Sequence, residues 1–142
     1  MLIGIPPILS PNLVKILMEM GHGDEIVIGD GNFPASNFAK RLVNCDGHGI
    51  PELLDAILPF FPLDYLVDKP VILMSVPSEV NRPPIWKQYY DIVNKDNLNI
   101  KEFQHMERSS FYERARDAYA IVSTGEKARF ANMILRKGVV TF

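Results

Sequence analysis

A histidine between two glycines is the residue whose setting in this sequence best suits chemistry. His22 precedes a short apolar segment, residues 25–28, and Asp30 follows that segment. A histidine side chain has an ordinary pKa of about 6.5, so it can donate and accept a proton near neutral pH. From local sequence alone, a surface or helix-capping histidine is the more common outcome. Both interpretations of His22 stay open at this point.

Other polar and aromatic residues are candidates for a small polar site. Asp30 either joins such a site or makes a local turn or cap. Arg108 is either a ligand-binding or a solvated surface arginine. Asn132 lies at the start of an apolar strand, where a buried amide needs partners from the backbone or from a ligand. Trp86 and Tyr112 are expected in the core or at an interface, although aromatic faces also suit sugar rings.

Metal and nucleotide chemistry is not expected. The chain has one cysteine, Cys45, and three histidines that lack the spacing of a metal-binding helix. His48 and His105 are interpreted as residues of a turn and of a strand surface. The sequence contains no GxGxxG or GxxxxGK[ST] loop and no GxSxG elbow. We therefore expect no metal, no nucleotide cofactor and no serine hydrolase triad.

The elements that must position these residues alternate between strands and helices. Helices are predicted to begin near Pro11, Pro51, Pro84 and Ser110, with Ser10 as the first N-cap and Gly21 as a left-handed C-cap. The serine at 110 and Glu113 fit a capping box. A helical turn is expected within residues 34–40, and strands over residues 25–28, 42–45, 71–76, 101–107, 118–122 and 131–135. The alternation predicts a single compact α/β domain over residues 1–142, with a partly parallel sheet flanked by helices.

Composition limits the cellular setting and the partners. Hydrophobic residues make up 47% and charged residues 23% of the 142 residues, and the net charge is -2. No basic run indicates nucleic acid or an anionic membrane. The sequence lacks a signal-peptide pattern, and no apolar run approaches the roughly 20 residues that span a bilayer. With a single cysteine as well, we expect a cytoplasmic protein without membrane or nucleic-acid partners.

Three segments together resemble the RbsD/FucU family of sugar mutarotases. They are SPNLVKILMEMGHGDEIVIGDGNFPAS, RSSFYERARDAYAIVSTGE and ANMILRKGV, in the same order and over nearly the whole chain. The resemblance is greatest to the L-fucose branch of that family. It implies a compact α/β subunit in a homo-oligomeric ring, typically a decamer of two stacked pentamers with active sites at subunit contacts. It also implies an isomerase that interconverts anomers of a free, unphosphorylated monosaccharide without a metal or organic cofactor.

The resemblance assigns roles to individual residues. His22 corresponds to the histidine of the GHGD motif, the general acid or proton donor. Asp30 and Arg108 correspond to the aspartate and arginine that contact the sugar. On this hypothesis the flanking glycines turn His22 toward the sugar, and the strand over residues 25–28 delivers Asp30 to the same pocket.

The last part of the family's site departs from the family pattern here. The tyrosine-glycine-asparagine or tyrosine-alanine-asparagine triplet falls on Phe130, Ala131 and Asn132, so a phenol hydroxyl is missing. L-Fucose mutarotation is the main hypothesis. D-Ribose pyranase activity in the same site is an alternative, and Phe130 favours a second, a non-catalytic sugar-binding protein accessory to transport. A purely structural ring protein is the third.

Overall fold

A computed structural model of the chain describes residues 1–96 and 98–141. The α-helices in these ranges are α1 (Pro11–Glu19), α2 (Ala35–Phe38), α3 (Ile50–Ile57), α4 (Pro84–Val93) and α5 (Arg108–Asp117), and a 3-10 turn (Leu58–Phe60) extends α3. The strands are β1 (Glu25–Gly29), β2 (Leu42–Cys45), β3 (Val71–Met74), β4 (Gln104–Met106), β5 (Ala120–Thr124) and β6 (Met133–Arg136). The predicted α/β class is confirmed.

The strands form one mixed sheet in the order β2-β5-β1-β6-β3-β4. β1 and β2 each pair in parallel with β5, and β3 pairs in parallel with β4. β6 lies antiparallel between β1 and β3, so that Val27 and Ile72 both face Ile134 across the ladders. The prediction of a partly parallel sheet is therefore confirmed, with β6 as its antiparallel member.

The core occupies both faces of the sheet, because successive strand side chains point to opposite faces. On one face, Ile26 and Ile28 of β1 pack in the cluster that contains the buried residues of α1, α3 and α4. On the other face, Val27 of β1 packs in the cluster that contains α2 and α5. The result is a three-layer arrangement in which both sheet faces are covered by helices.

The end of α1 differs from its prediction. Ser10 is the N-cap as expected, and its side chain accepts a hydrogen bond from the Leu13 N–H at 3.2 Å. Met20, however, is the C-cap and has extended backbone, and the positive φ of 85° belongs to Gly23. The left-handed cap predicted at Gly21 is therefore wrong. The chain leaves α1 in an extended conformation at Met20 and turns at Gly23, two residues beyond the predicted position.

The start of α5 also differs from its prediction. The helix begins at Arg108 with Glu107 at the N-cap position, not at a capping box formed by Ser110 and Glu113. The hydroxyl of Ser109 donates to Oε1 of Glu107 at 2.6 Å. Arg108 is therefore the first residue of α5, two positions after β4 ends at Met106. It lies beside the carboxyl end of that strand. Within the described ranges, no helix has both the length and the apolar character needed to cross a membrane.

Candidate functional site

Two polar clusters lie at opposite ends of the strands. β1, β3, β4 and β5 end at the same end of the sheet, and β6 begins there. We call this end of the strands the carboxyl edge; the term does not refer to an outer strand. The opposite end, where β1 begins and β6 ends, is called the amino edge. Asp30, Arg108 and Asn132 belong to the carboxyl edge, whereas His22 belongs to the amino edge.

Asp30 and Asn132 are joined directly at the carboxyl edge. The Asp30 N–H donates to Oδ1 of Asn132 at 2.7 Å, across 102 residues of sequence. Oδ1 of Asp30 accepts from the Asn32 N–H at 2.9 Å, which is the Asx turn considered for this residue. Asp30 is 8% and Asn132 6% exposed, so both are nearly buried. The buried amide of Asn132 thus has the backbone partner that its position requires.

The carboxyl group of Asp30 is held in a partly desolvated setting. Burial raises its pKa above the ordinary value, and hydrogen bonds from the N–H groups of Asn32, Ala131 and Phe33 act in the opposite direction. The neighbouring charge of Glu126 adds to the increase. A desolvated acceptor of this kind is suited to a hydroxyl of a bound ligand, because little water competes for it.

The segment Phe130–Asn132 reaches this edge in a fixed conformation. Phe130 has a φ of 55°, which is uncommon for a residue other than glycine. Its carbonyl accepts from Nε1 of Trp86 at 2.9 Å, and the carbonyl of Ala131 accepts from the hydroxyl of Tyr89 at 2.8 Å. Trp86 and Tyr89 are therefore core residues, as expected for Trp86, that also hold the site's backbone.

Arg108 lies farther along the same edge. It follows β4, which is three strands from β1 in the sheet order. At about 4.8 Å per strand, the backbones at Arg108 and Asp30 are about 14 Å apart. Arg108 is exposed, so its long side chain is free to extend toward a ligand. It borders the cluster of Asp30 and Asn132 without belonging to it.

His22 lies at the amino edge beside a buried carboxylate. Its Nε2 is 3.1 Å from Oδ1 of Asp64, and Nε of Arg136 donates to Oδ2 of the same aspartate at 2.9 Å. The Arg136 hydrogen bond above all, and then those from the Leu66 N–H and from His22, lower the pKa of Asp64, although burial opposes them. Asp64 therefore stays ionised near neutral pH and accepts from both neighbours.

The loop around His22 is fixed by its glycines and by Arg136. The Gly23 N–H donates to the Lys137 carbonyl at 2.8 Å, and the Gly21 N–H donates to Oδ2 of Asp24 at 2.8 Å. A Cβ at Gly23 would lie 3.2 Å from the guanidinium of Arg136, and the φ of 85° disfavours side chains there. The glycines thus present His22 to solvent while its ring remains anchored to Asp64.

A single chain does not bring His22 and Asp30 into one pocket. They flank the two ends of β1, whose four residue steps from Glu25 to Gly29 span about 13 Å at 3.3 Å per residue. The expectation that the strand delivers Asp30 to the pocket of His22 is therefore wrong for the single chain. Because the strand is extended, the residues that precede it and follow it lie far apart.

Sequence reasoning missed Asp64 and Arg136. Asp64 occurs in the loop segment PLDYL and Arg136 at the end of an apolar strand, and neither setting is unusual locally. Asp64 contacts His22 across 42 positions and Arg136 across 72 positions, so no local spacing indicates these contacts. Only the structure reveals these contacts, through the burial of Asp64, which is 1% exposed.

The other two histidines differ from each other. Nδ1 of His48 lies 3.3 Å from Oε1 of Glu52 on an exposed turn, as expected. His105 is less exposed than a strand-surface residue: its Nε2 is buried without a hydrogen-bond partner, and its ring lies 5.0 Å from that of Trp86. Burial lowers the pKa of His105. No group of three potential metal-ligating side chains occurs within residues 1–96 and 98–141.

A large apolar cavity coincides with neither cluster. It measures about 660 Å³ and lies between the apolar start of the chain and α1, with Leu2, Val14 and Met18 in its lining. A cavity of about 300 Å³ lies at the amino edge, where Arg114 and Arg136 line it. Because polar residues that could bind a small hydrophilic ligand lie at the strand ends, we assign the candidate site to the two edges and not to the apolar cavity.

Comparison with known proteins defines the class to which this α/β chain belongs. Residues 3–140 match the model of the RbsD / FucU transport protein family, and the chain belongs to that family. The fucose mutarotase of Homo sapiens is 45% identical to the chain over 144 residues, covering 96% of this chain and 93% of the human protein. The L-fucose mutarotase of Actinobacillus pleuropneumoniae is 41% identical over 140 residues, with 98% and 97% covered. The resemblance inferred from the motifs is confirmed.

Solved structures show the same fold. The fucose mutarotase of Streptococcus pneumoniae, solved in complex with L-fucose, superposes with a TM-score of 0.95 at 48% identity, covering 99% of this chain and all of that one. RbsD of Bacillus subtilis, complexed with D-ribose, gives a TM-score of 0.68 at 24% identity over 94% of this chain and 95% of that one. The second likeness demonstrates a shared fold only.

Proposed function

We propose that this chain is an L-fucose mutarotase, an isomerase that interconverts the α and β anomers of the free sugar. The observation that carries the proposal is the 48% identity, over 99% of the chain, to a fucose mutarotase whose structure holds L-fucose. D-Ribose is the second sugar to test, because the ribose-bound relative shares the fold. The reaction needs neither a metal nor an organic cofactor.

The reaction requires two proton transfers. Opening the ring breaks the C1–O5 bond: a proton is delivered to O5, the proton of the O1 hydroxyl is removed, and C1 becomes an aldehyde carbon. Rotation about the C1–C2 bond presents the other carbonyl face, and the reverse transfers close the ring as the other anomer. A histidine with a pKa near neutrality suits both directions, and such catalysis typically contributes about 10² to 10⁴ in rate.

His22 is the proposed proton-transfer residue, and Asp64 fixes its tautomer. An ionised carboxylate can only accept hydrogen bonds, so the Nε2 that faces Asp64 carries a proton. Nδ1 is then the ring atom that exchanges a proton with the sugar. Asp64 is in turn oriented by Nε of Arg136. A buried carboxylate that orients a histidine through one ring nitrogen is a recurrent device in catalysis and metal binding.

The carboxyl edge supplies the proposed sugar contacts. Asp30 offers a desolvated acceptor, and Arg108 offers donors. Because Oδ1 of Asn132 already accepts from the Asp30 N–H, its Nδ2 is the atom left to donate to a sugar hydroxyl. The ring of Phe130 completes the proposed contacts, whereas Ala131 is fully buried and its carbonyl accepts from the Tyr89 hydroxyl. A neutral sugar that carries many hydroxyls can use acceptors, donors and an apolar face together.

We further propose that the complete site forms between subunits. The amino edge with His22 and the carboxyl edge with Asp30 are about 13 Å apart within one chain, by the rise of β1. A homo-oligomeric ring that places the carboxyl edge of one subunit against the amino edge of its neighbour joins them. The family resemblance favours a decamer of two stacked pentamers. We place the enzyme in the cytoplasm, where a lone cysteine such as Cys45 stays reduced.

Saturation transfer between the α and β anomeric protons of L-fucose tests the proposed function. The wild-type protein is expected to accelerate exchange near pH 7, and His22→Ala is expected to abolish the acceleration. His48→Ala is the matched control, since His48 is an exposed histidine outside both clusters. Exchange that persists in His22→Ala would refute the proposed role of His22. A wild-type protein inert toward both L-fucose and D-ribose would refute the mutarotase proposal.

A further inference from the structure

Helix α4 makes two adjacent hydrogen bonds to the candidate sugar-binding segment. Nε1 of Trp86 donates to the carbonyl of Phe130 at 2.9 Å, and the hydroxyl of Tyr89 donates to the carbonyl of Ala131 at 2.8 Å. Trp86 is 3% exposed and Tyr89 is fully buried. Two consecutive carbonyls outside the strands therefore receive side-chain donors from one helix.

These bonds act on a backbone that needs support. Phe130 has a φ of 55°, a conformation that a bulky residue keeps only when its surroundings enforce it. On the other side of the segment, the Asp30 N–H donates to Oδ1 of Asn132 at 2.7 Å. The segment is thus held from α4 on one side and from Asp30 on the other.

Shape alone does not account for the pair. A buried phenylalanine at position 86 or 89 would fill most of the same space, yet both residues carry a polar group that meets a site carbonyl. A carbonyl left without its donor in a buried place is unfavourable, and the segment would shift to find another partner. Such a shift would move Phe130 and the amide of Asn132 together, since the carbonyls belong to the two residues before that amide.

We propose that Trp86 and Tyr89 are positioning residues, which set the geometry of residues 130–132 for sugar binding without touching the sugar. The inference rests on the proposed function, because it takes this segment as part of the sugar site. Contacts with the sugar exist in both the bound ground state and the transition state. Loss of positioning therefore raises KM more than it lowers kcat.

Tyr89→Phe is the first test, because it removes one hydroxyl and keeps the ring. The KM for L-fucose is expected to rise roughly two- to tenfold, the range that one net hydrogen bond is worth, with kcat changed by less than about twofold. Tyr119→Phe is the matched control: it deletes a hydroxyl that donates to Glu19 at 2.8 Å, at the opposite end of the sheet from residues 130–132. A Tyr89→Phe variant that melts at a lower temperature but keeps the wild-type KM would overturn the proposal.

The single tryptophan provides a second readout that needs no turnover. Trp86 is the only tryptophan in the sequence, so intrinsic tryptophan fluorescence reports on its contact with Phe130. L-Fucose titration is expected to change this fluorescence in the wild type and in His22→Ala, and to show weaker binding in Tyr89→Phe. If the wild type catalyses anomer exchange but its tryptophan fluorescence does not change when L-fucose is added, the inference is overturned. The proposed function would remain intact. If the wild type does not accelerate exchange, the mutarotase proposal fails. In that case the inference is supported if Tyr89→Phe weakens L-fucose binding measured by fluorescence, and refuted if it does not.

Discussion

His22 and Asp64 form a hydrogen-bonded pair across 42 residues of sequence, with Nε2 of the histidine 3.1 Å from Oδ1 of the aspartate. The side chain of Asp64 is 1% exposed, whereas that of His22 is 42% exposed. The pair therefore joins a buried charge to a ring that reaches solvent. One ring nitrogen is fixed by the protein and the other remains available to a ligand.

Replacing Asp64 by asparagine tests this pair. Asp64→Asn keeps the size but removes the ionised acceptor, so the ring of His22 loses its fixed tautomer. We expect kcat for L-fucose to fall by about 10- to 100-fold, within the range that acid–base catalysis contributes, with a smaller change in KM. Saturation-transfer kinetics measure both quantities. Asp91→Asn, at an exposed aspartate of α4 that pairs with Lys87, is the control, and an unchanged kcat in Asp64→Asn would contradict the mechanism.

Mixed oligomers test whether two chains share each site. His22→Ala and Asn132→Ala damage opposite edges of the subunit, and each variant alone is expected to be nearly inactive. After unfolding and joint refolding, random assortment in a symmetric ring gives roughly one quarter of sites with both intact edges. Recovery of exchange to about that fraction supports shared sites.

The control for this experiment mixes His22→Ala with the double variant that carries both substitutions. That mixture contains no intact amino edge, so no exchange should return. If the first mixture assembles into full rings, as shown by native mass, and still remains inactive, the proposed shared site is wrong.

Phe130→Tyr tests the departure from the family triplet. The substitution adds one hydroxyl to a half-buried ring beside Asn132, where a sugar hydroxyl can accept or donate. We expect KM for L-fucose to fall roughly two- to tenfold, as one added hydrogen bond allows. Phe60→Tyr adds the same group at an exposed position that lines a cavity with Met20 and Lys137, at the other end of the sheet from residues 130–132. Equal kinetics for wild type and Phe130→Tyr would show that the missing hydroxyl has no part in sugar binding.

His105 gives a prediction about pH and stability. Burial lowers its pKa, so below about pH 6.5 the unfolded chain binds more protons at this site than the folded protein. The stabilising contribution is fully present above pH 6.5 and is lost as the pH falls through the lowered value. His105→Phe removes the titrating group and keeps a ring against Trp86, so its melting temperature should fall less than that of the wild type between pH 6.5 and pH 5.

Thermal melts followed by circular dichroism over that range measure the difference. His48→Gln, at an exposed histidine paired with Glu52, is the comparison variant. A His105→Phe profile parallel to that of the wild type would show that His105 does not titrate differently in the folded state.

Local patterns in the sequence determined the layers of the fold. Apolar runs and helical spacing predicted the strands and helices, because these periodicities depend on neighbouring residues alone. The helix after Ser10 began where its cap indicated, and the buried β3, Val71–Met74, lies within the strand predicted over residues 71–76. The errors were at the ends of elements: the turn occurred at Gly23 rather than Gly21, α5 started at Arg108, and β5 spans Ala120–Thr124 rather than 118–122. Several residues near an end can cap a helix, and tertiary contacts choose among them.

The motifs also pointed to His22, Asp30, Arg108 and residues 130–132 as one family's site, and the family assignment is confirmed. Only the tertiary structure decided that these residues divide between two edges of the sheet. It also paired His22 with Asp64 and joined Trp86 to Phe130, 44 residues apart. The reason is physical: local propensity acts over a few residues, whereas strand order and burial bring distant side chains together. No spacing along the chain encodes those contacts.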